Sequence, residues 1–284
     1  MSADRTTDQD RAVFWYGCNM TRHGELIRNS ARLLEAVGVA AEPAGGPAYC
    51  CGSAKESSAQ IAGGMGERTV EAFNATGTPQ VITWCPSCHM NTQDIMAPVT
   101  APEFTTQHLS EVLHARRGRL APMLRQRIGL RVLVHKHQGF NARVPVNDIV
   151  PELLRMIPGL EVLEHDLRIP GHMCSALVGV PGAILATQSD QLAAITESGA
   201  DAVVTIFHSC HREMASLERG RTLKVFNWVH LLAQAIGWDA ADDYKTWRNA
   251  SDPRAEIGQA RIEAAGEVAF ERLTEPELRR PATI

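Results

Sequence analysis

"QVITWCPSCHM" at residues 80–90 and "DAVVTIFHSCHREM" at residues 201–214 follow one plan, a short apolar run rich in β-branched residues that passes directly into Ser-Cys-His. Both runs read as buried strands, and Pro86 suits the first turn of a following helix, where its missing N–H is not needed. Working outward, the surroundings repeat as well. Upstream of the first run lie a strand at "RAVFWYG" (11–17) and a helix carried by Leu26, Ile27, Leu33, Leu34 and Val37, ended by Gly38. A Gly/Pro-rich loop, "EPAGGPAYCCGS" (42–53), and a helix weakened by glycines, "SSAQIAGGMGERTVEAFNATG" (57–77), complete that side. Upstream of the second run come strand "LRVLVHK" (130–136), helix "NDIVPELLRMI" (147–157), strand "EVLEHD" (161–166), loop "RIPGHMCSALVGVPG" (168–182) and helix "AILATQSDQLAAITESG" (183–199).

Spacing tests the repeat. Cys51 to Cys88 is 37 positions and Cys174 to Cys210 is 36, while Cys88 to His108 and Cys210 to His230 are both 20. "FTTQHL" (104–109) is answered by "FNWVHL" (226–231), each with a Phe the same distance ahead of a His-Leu pair. The sequence therefore predicts an α/β fold of two tandem, internally duplicated, Rossmann-like halves with mostly parallel sheets. The halves are expected at 11–118 and 129–238, followed by a helical tail at 239–284 in which "AEIGQARIEAAGEVAFERL" forms a final surface helix. In such sheets ligands gather beyond the carboxyl ends of the strands, so Cys18, the loop with Cys50 and Cys51, and Cys85 are expected to converge.

The 28 basic residues are scattered through a chain of net charge −4, which speaks against a nucleic-acid partner. The chain has no apolar run of membrane-spanning length and no signal-peptide pattern at its start, so a cytoplasmic location is expected. Seven cysteines in a reducing compartment point to metal or redox chemistry rather than a disulfide framework.

Five of those cysteines, Cys18, Cys50, Cys51, Cys85 and Cys88, fall within the first 88 residues. Read alone, Cys85-Pro-Ser-Cys88 is a thioredoxin-type pair at a helix start, and Cys85 to His89 also fits the c-type haem attachment string. Zinc accounts for four thiolates but leaves the fifth surplus, and soft thiolates also suit iron–sulfur clusters. Adjacent residues of an extended chain point to opposite sides, so Cys50 and Cys51 can face one centre only if the backbone bends, as Gly52 permits. Gly17 would similarly allow a close approach to the centre.

The pattern of one Cys, a Cys-Cys-Gly and a Cys-x-x-Cys about thirty-odd residues apart resembles the cysteine-rich CCG domain of the B-type subunits of heterodisulfide reductase, a family with two such domains in tandem. The resemblance implies that Cys18, Cys50, Cys51, Cys85 and Cys88 hold one non-cubane [4Fe–4S] cluster. It implies an oxidoreductase subunit of a heterodisulfide reductase-like complex, with the sulfur-oxidising type among the candidates. Its partners would be a ferredoxin-type iron–sulfur subunit, a flavoprotein subunit and a thiol or lipoyl-type sulfur carrier. No catalytic residue beyond the ligands is implied. Asn19, His23, Ser53, Ser87 and His89 are expected to surround the sulfurs and tune the potential. An electron-relay or assembly role without a substrate, and a thioredoxin-like use of Cys85 and Cys88 alone, remain alternatives.

The second half departs from the motif. His137 and Gln138 stand where the first cysteine is due, Met173-Cys174-Ser175 replaces Cys-Cys-Gly, and Phe207 replaces the first cysteine of the last pair. A second cluster of the same kind is not expected. Histidines crowd these places, His135, His137, His172, His208 and His211, and a zinc ion on Cys174, Cys210 and one or two of them, with His137 and His208 put forward, is one reading; an eroded, packed site is the other. His108 and His230 are expected on an apolar helix face as locally hydrogen-bonded core residues.

Overall fold

The computed structural model describes residues 10–53 and 58–280. Ser57, at the start of the expected second helix, and the last four residues of the expected tail lie outside the described residues.

Each half is a four-stranded, all-parallel sheet. In the first, β1 (Arg11–Gly17), β2 (Ala40–Gly45), β3 (Gln80–Thr83) and β4 (Thr105–His108) stand in the order β2-β1-β3-β4. In the second, β5 (Arg131–His135), β6 (Glu161–Leu163), β7 (Ala202–Thr205) and β8 (Lys224–Asn227) stand in the order β6-β5-β7-β8. The order reverses between β1 and β3, and again between β5 and β7, which opens a crevice at the carboxyl ends of those strands. Central strands covered on both faces become continuous apolar runs. That is why Ala12 to Trp15 and Ala202 to Thr205 are all buried.

The first sheet is flanked by helices α1 (Gly24–Ala36), α2 (Ala59–Asn74), α3 (Pro86–Asn91) and α4 (Leu109–Ala115). The second carries α5 (Val146–Arg155), α6 (Ala183–Ser198), α7 (His208–Met214) and α8 (Trp228–Ile236). Helix α1 packs on α8 and α4 on α5, so one continuous apolar core joins the two sheets. No helix among the described residues is long and apolar enough to cross a membrane.

Three local expectations are corrected. The start of the expected Gly/Pro-rich loop is strand β2, with Pro43 opposite Phe14. An edge strand tolerates a residue that donates no ladder hydrogen bond. His108 ends a strand and caps α4 rather than lying on a helix face. The expected final helix is broken into Pro253–Ile257, Gln259–Ala265 and shorter turns, because Gly258 and Gly266 sit between the pieces with φ of 83° and 92°. These pieces and α9 (Asp243–Asn249) close over a small core of their own, formed by Tyr244, Ile257, Ile262, Phe270 and Leu278.

Candidate functional site

The crevice of the first sheet receives cysteines from three directions. Cys18 follows β1, Cys50 and Cys51 end the loop after β2, and Cys85 caps α3 after β3 with Cys88 one turn on. Cys18 and Cys50 Sγ are 3.8 Å apart. The Cys51 thiol neighbours those of Cys50 and Cys88, and Cys88 neighbours Cys85. The structure thus brings all five sequence-predicted sulfurs to one crevice as a chain of neighbours. Cys50, Cys51, Cys85 and Cys88 are buried and Cys18 is half-buried, which leaves Cys18 at the accessible edge.

The surrounding residues explain the convergence. Trp15 Nε1 donates to the Tyr49 carbonyl at 2.9 Å and Thr69 Oγ1 to the Cys50 carbonyl at 3.1 Å, so the vicinal pair is held from both sides. Gly52 has φ of 85°, and a Cβ there would lie 2.6 Å from the Ala62 carbonyl oxygen, so the turn after the pair needs glycine on two counts. At Gly17, with φ of 80°, a Cβ would stand 3.1 Å from Cys88 Sγ, so its absence makes room for the sulfurs.

Crowding also sets the charge. Hydrogen bonding with Cys50, followed by burial, holds the Cys18 thiol far above its ordinary range, and the same pairing pushes Cys51 up to about 11. Cys88 is raised by its bonds to Cys51 and Cys85. Cys85 is lowered, first by the Cys88 thiol and then, against burial, by the N–H groups of Cys88 and Ser87. Five thiolates cannot coexist here without a compensating cation, and soft sulfur donors select soft metals or iron–sulfur clusters. The Cys85/Cys88 pair does not stand alone as a thioredoxin-type dithiol would, since Cys51 bonds to it.

Of the five residues expected around the sulfurs, two are there. Ser53 Oγ lies 3.5 Å from Cys51 Sγ, and Ser87 supports Cys85 while its Oγ meets His172 Nε2 at 2.8 Å. Asn19 turns to Arg22, His23 to Glu25, and His89 to Thr83 Oγ1 at 3.0 Å. The residue that sequence reasoning missed is Asn91, whose Nδ2 lies 3.6 Å from Cys51 Sγ. Its position three residues after Cys88 on a helix was the available signal.

In the second half, His135, His137, Cys174 and Cys210 present four ligand atoms within 4.8 Å of one another, all from buried residues. His135 Nε2 is 3.3 Å and His137 Nε2 3.4 Å from Cys174 Sγ. His137 Nδ1 donates to the Pro170 carbonyl at 2.9 Å and His135 Nδ1 to Gln191 Oε1 at 2.9 Å, so both rings turn an Nε2 lone pair toward the thiols. Burial raises both thiols and holds Cys174 well above the thiol range, but a bond from Cys174 and the neighbouring imidazoles bring Cys210 well below it. Two thiols and two imidazoles suit a tetrahedral zinc ion.

His208 is not a member of that set, and His135 takes the place the sequence reading gave it. At the first position of α7, His208 is turned away, edge-on to Trp84 with ring centroids 5.8 Å apart. The matched spacing of His108 and His230 is also corrected. Strand register pairs Thr83 with His108 but Thr205 with Asn227, so Asn227 is the counterpart of His108. Both do the same job: His108 Nε2 donates to the Trp84 carbonyl at 3.0 Å and Asn227 Nδ2 to the Ile206 carbonyl at 3.2 Å. His230 lies one turn further into α8 and makes no hydrogen bond.

No curated protein matches the chain. Residues 12–93, which span β1 to α3 and contain all five converging cysteines, match the family described as the CCG cysteine-rich domain.

Proposed function

We propose that the chain is the iron–sulfur, B-type subunit of a heterodisulfide reductase-like complex, acting on a thiol, a disulfide or a carrier-bound sulfur. In this reading Cys18, Cys50, Cys51, Cys85 and Cys88 hold one non-cubane [4Fe–4S] cluster. The observation that carries it is the convergence of five neighbouring sulfurs on one crevice, inside a segment similar to the cysteine-rich domain found in B-type subunits. Five soft donors exceed what zinc takes and suit an iron–sulfur cluster.

Bound there, the cluster would supply one-electron transfer and a soft iron able to take sulfur. The chain's own residues set the conditions for that chemistry. Burial of Cys51, Cys85 and Cys88 excludes water from the inner side, while half-buried Cys18 leaves one edge open to an incoming thiol or disulfide. Cys85, held below the ordinary thiol range by the Cys88 thiol, is poised to ionise when the site is filled. Asn91 and Ser53, beside Cys51, would tune the potential through contacts to its sulfur.

The second half would bind zinc through His135, His137, Cys174 and Cys210 and serve as a rigid support rather than a second redox centre. Four protein ligands fill a tetrahedral zinc and leave no open position for substrate. A ferredoxin-type iron–sulfur subunit and a flavoprotein subunit are the partners this reading requires.

Anaerobic purification with iron, sulfide and zinc analysis tests the composition. A brown protein with about four irons and at least one zinc per chain is expected, and a colourless, iron-free protein refutes the reading. Addition of thiol or disulfide while the paramagnetic signal of the protein is followed separates substrate chemistry from electron relay. A signal that changes supports a substrate at the Cys18 edge, and one that never responds assigns the chain to the relay role.

A further inference from the structure

The second half carries another buried cluster of ligating side chains that shares no residue with either cysteine site. His211, His230 and Asp242 place their donor atoms within 4.8 Å of one another. They come from three elements: His211 from α7, His230 from α8, and Asp242 from the N-cap of α9. Asp242 divides its oxygens. Oδ1 accepts the Lys245 N–H at 3.1 Å, while Oδ2 faces the two imidazoles, 2.7 Å from His211 Nε2 and 3.5 Å from His230 Nδ1. Behind the rings, Thr205 Oγ1 lies 3.4 Å from His211 Nδ1 and Glu25 Oε1 lies 3.8 Å from His230 Nε2.

Both ring nitrogens of His230, which is 2% exposed, and Glu25 Oε1, in a residue 5% exposed, make no hydrogen bond. A buried polar atom left without a partner is costly. A cation between His211 Nε2, His230 Nδ1 and Asp242 Oδ2 removes the deficit. It occupies Nδ1 and fixes the proton on Nε2, which then donates toward Glu25, the carboxylate–histidine–metal arrangement that orients bound imidazoles. The charges agree. Asp242 and Glu218 bring two carboxylates against the single ammonium of Lys245, so the surroundings favour a cation. That ammonium is 3.8 Å from Asp242 Oδ2 but is held by Glu218 at 3.0 Å and the Val225 carbonyl at 2.7 Å.

We propose that His211, His230 and Asp242 bind a zinc-class divalent ion, with Glu25 orienting His230. The ion fastens α9, and through it the segment after residue 239, to the second sheet. This holds whether or not the cysteine sites carry the metals assigned to them above.

The test counts metal in the full chain purified anaerobically from cobalt-supplemented cells. Thiolate-bound cobalt shows strong charge-transfer absorption, whereas cobalt on imidazole and carboxylate shows only weak visible bands, so the kinds of site are read apart. Asp242→Asn and His230→Gln are each expected to hold one cobalt fewer per chain than the parent, with the charge-transfer intensity unchanged. Glu25→Gln keeps all three ligands and is expected to bind about 10- to 100-fold more weakly. Equal cobalt in the parent and in Asp242→Asn overturns the proposal. Should His230→Gln fail to fold, an unweakened Glu25→Gln would overturn it as well.

Discussion

At the end of β1 stand Trp15, Gly17 and Cys18, and at the end of β5 stand His135, His137 and Gln138. Strand register makes Trp15 the counterpart of His135, since the first faces Thr83 and the second Thr205. In the first half the tryptophan holds the loop of the vicinal cysteines, and the glycine clears space for sulfur. In the second, both positions have become imidazoles that face Cys174 across the same crevice. Cys85 is answered by Phe207, buried against Phe140, and Cys50 by buried Met173, so apolar bulk fills what thiols occupy in the other half. One backbone therefore offers either a roomy five-sulfur site or a tight four-ligand site, and the side chains at two strand ends decide which.

The largest effect that would sharpen this comparison is loss of metal from one half only. Cys50→Ser is expected to abolish nearly all bound iron while zinc is retained, and Cys210→Ser to keep the iron and lose the zinc of the Cys174/Cys210 site, both read by elemental analysis. Loss of both metals from either variant would break the separation. Next, His135→Gln is expected to lose the zinc of the Cys174/Cys210 site and His208→Gln to keep it. Structural zinc contributes about 10–16 kcal/mol to the folding of small zinc domains, so the first variant should also melt well below the second.

A smaller effect is expected from acid. Burial holds His108 down at about 3 from an ordinary 6.5. The folded state thus keeps it neutral in a range where the unfolded chain takes up a proton. Its contribution is present in full above pH 6.5 and is lost as pH falls toward 3, by several kcal/mol over that window. Urea midpoints of His108→Gln measured from pH 7 to 4 should fall less steeply than those of the parent, and parallel slopes would rule the mechanism out. Gly52→Ala follows, at about 1–3 kcal/mol of lost stability with reduced iron occupancy, because the residue is left-handed and its new Cβ meets the Ala62 carbonyl. The smallest change is in potential. Asn91→Leu removes a donor beside Cys51 and should make the bound cluster harder to reduce by a few tens of mV, measured by redox titration, with iron content unchanged.

The alternation of strands and helices, the duplication and the grouping of five cysteines were all legible because period, turn residues and cysteine spacing are local properties of a chain. The bends at Gly17 and Gly52 were legible for the same reason. What misled was spacing taken as equivalence. His108 and His230 lie equally far from their cysteines, yet a three-residue difference in the approach to β8 puts Asn227 in the capping position and leaves His230 inside a helix. Strand β2 escaped notice because its proline, glycine and alanines carry no apolar alternation, and its place in the sheet comes from pairing with β1.

By itself, then, the sequence determined the kind of sheet, the number of halves and which residues could offer sulfur, since each follows from neighbours along the chain. Only the tertiary structure decided that His135 rather than His208 joins Cys174 and Cys210, that Asn91 reaches Cys51, and that Glu25 and Asp242 close around His230. Those choices depend on where strand ends and helix turns from distant segments come to rest against one another, and packing in three dimensions fixes that to within an ångström or two, while spacing along the chain does not.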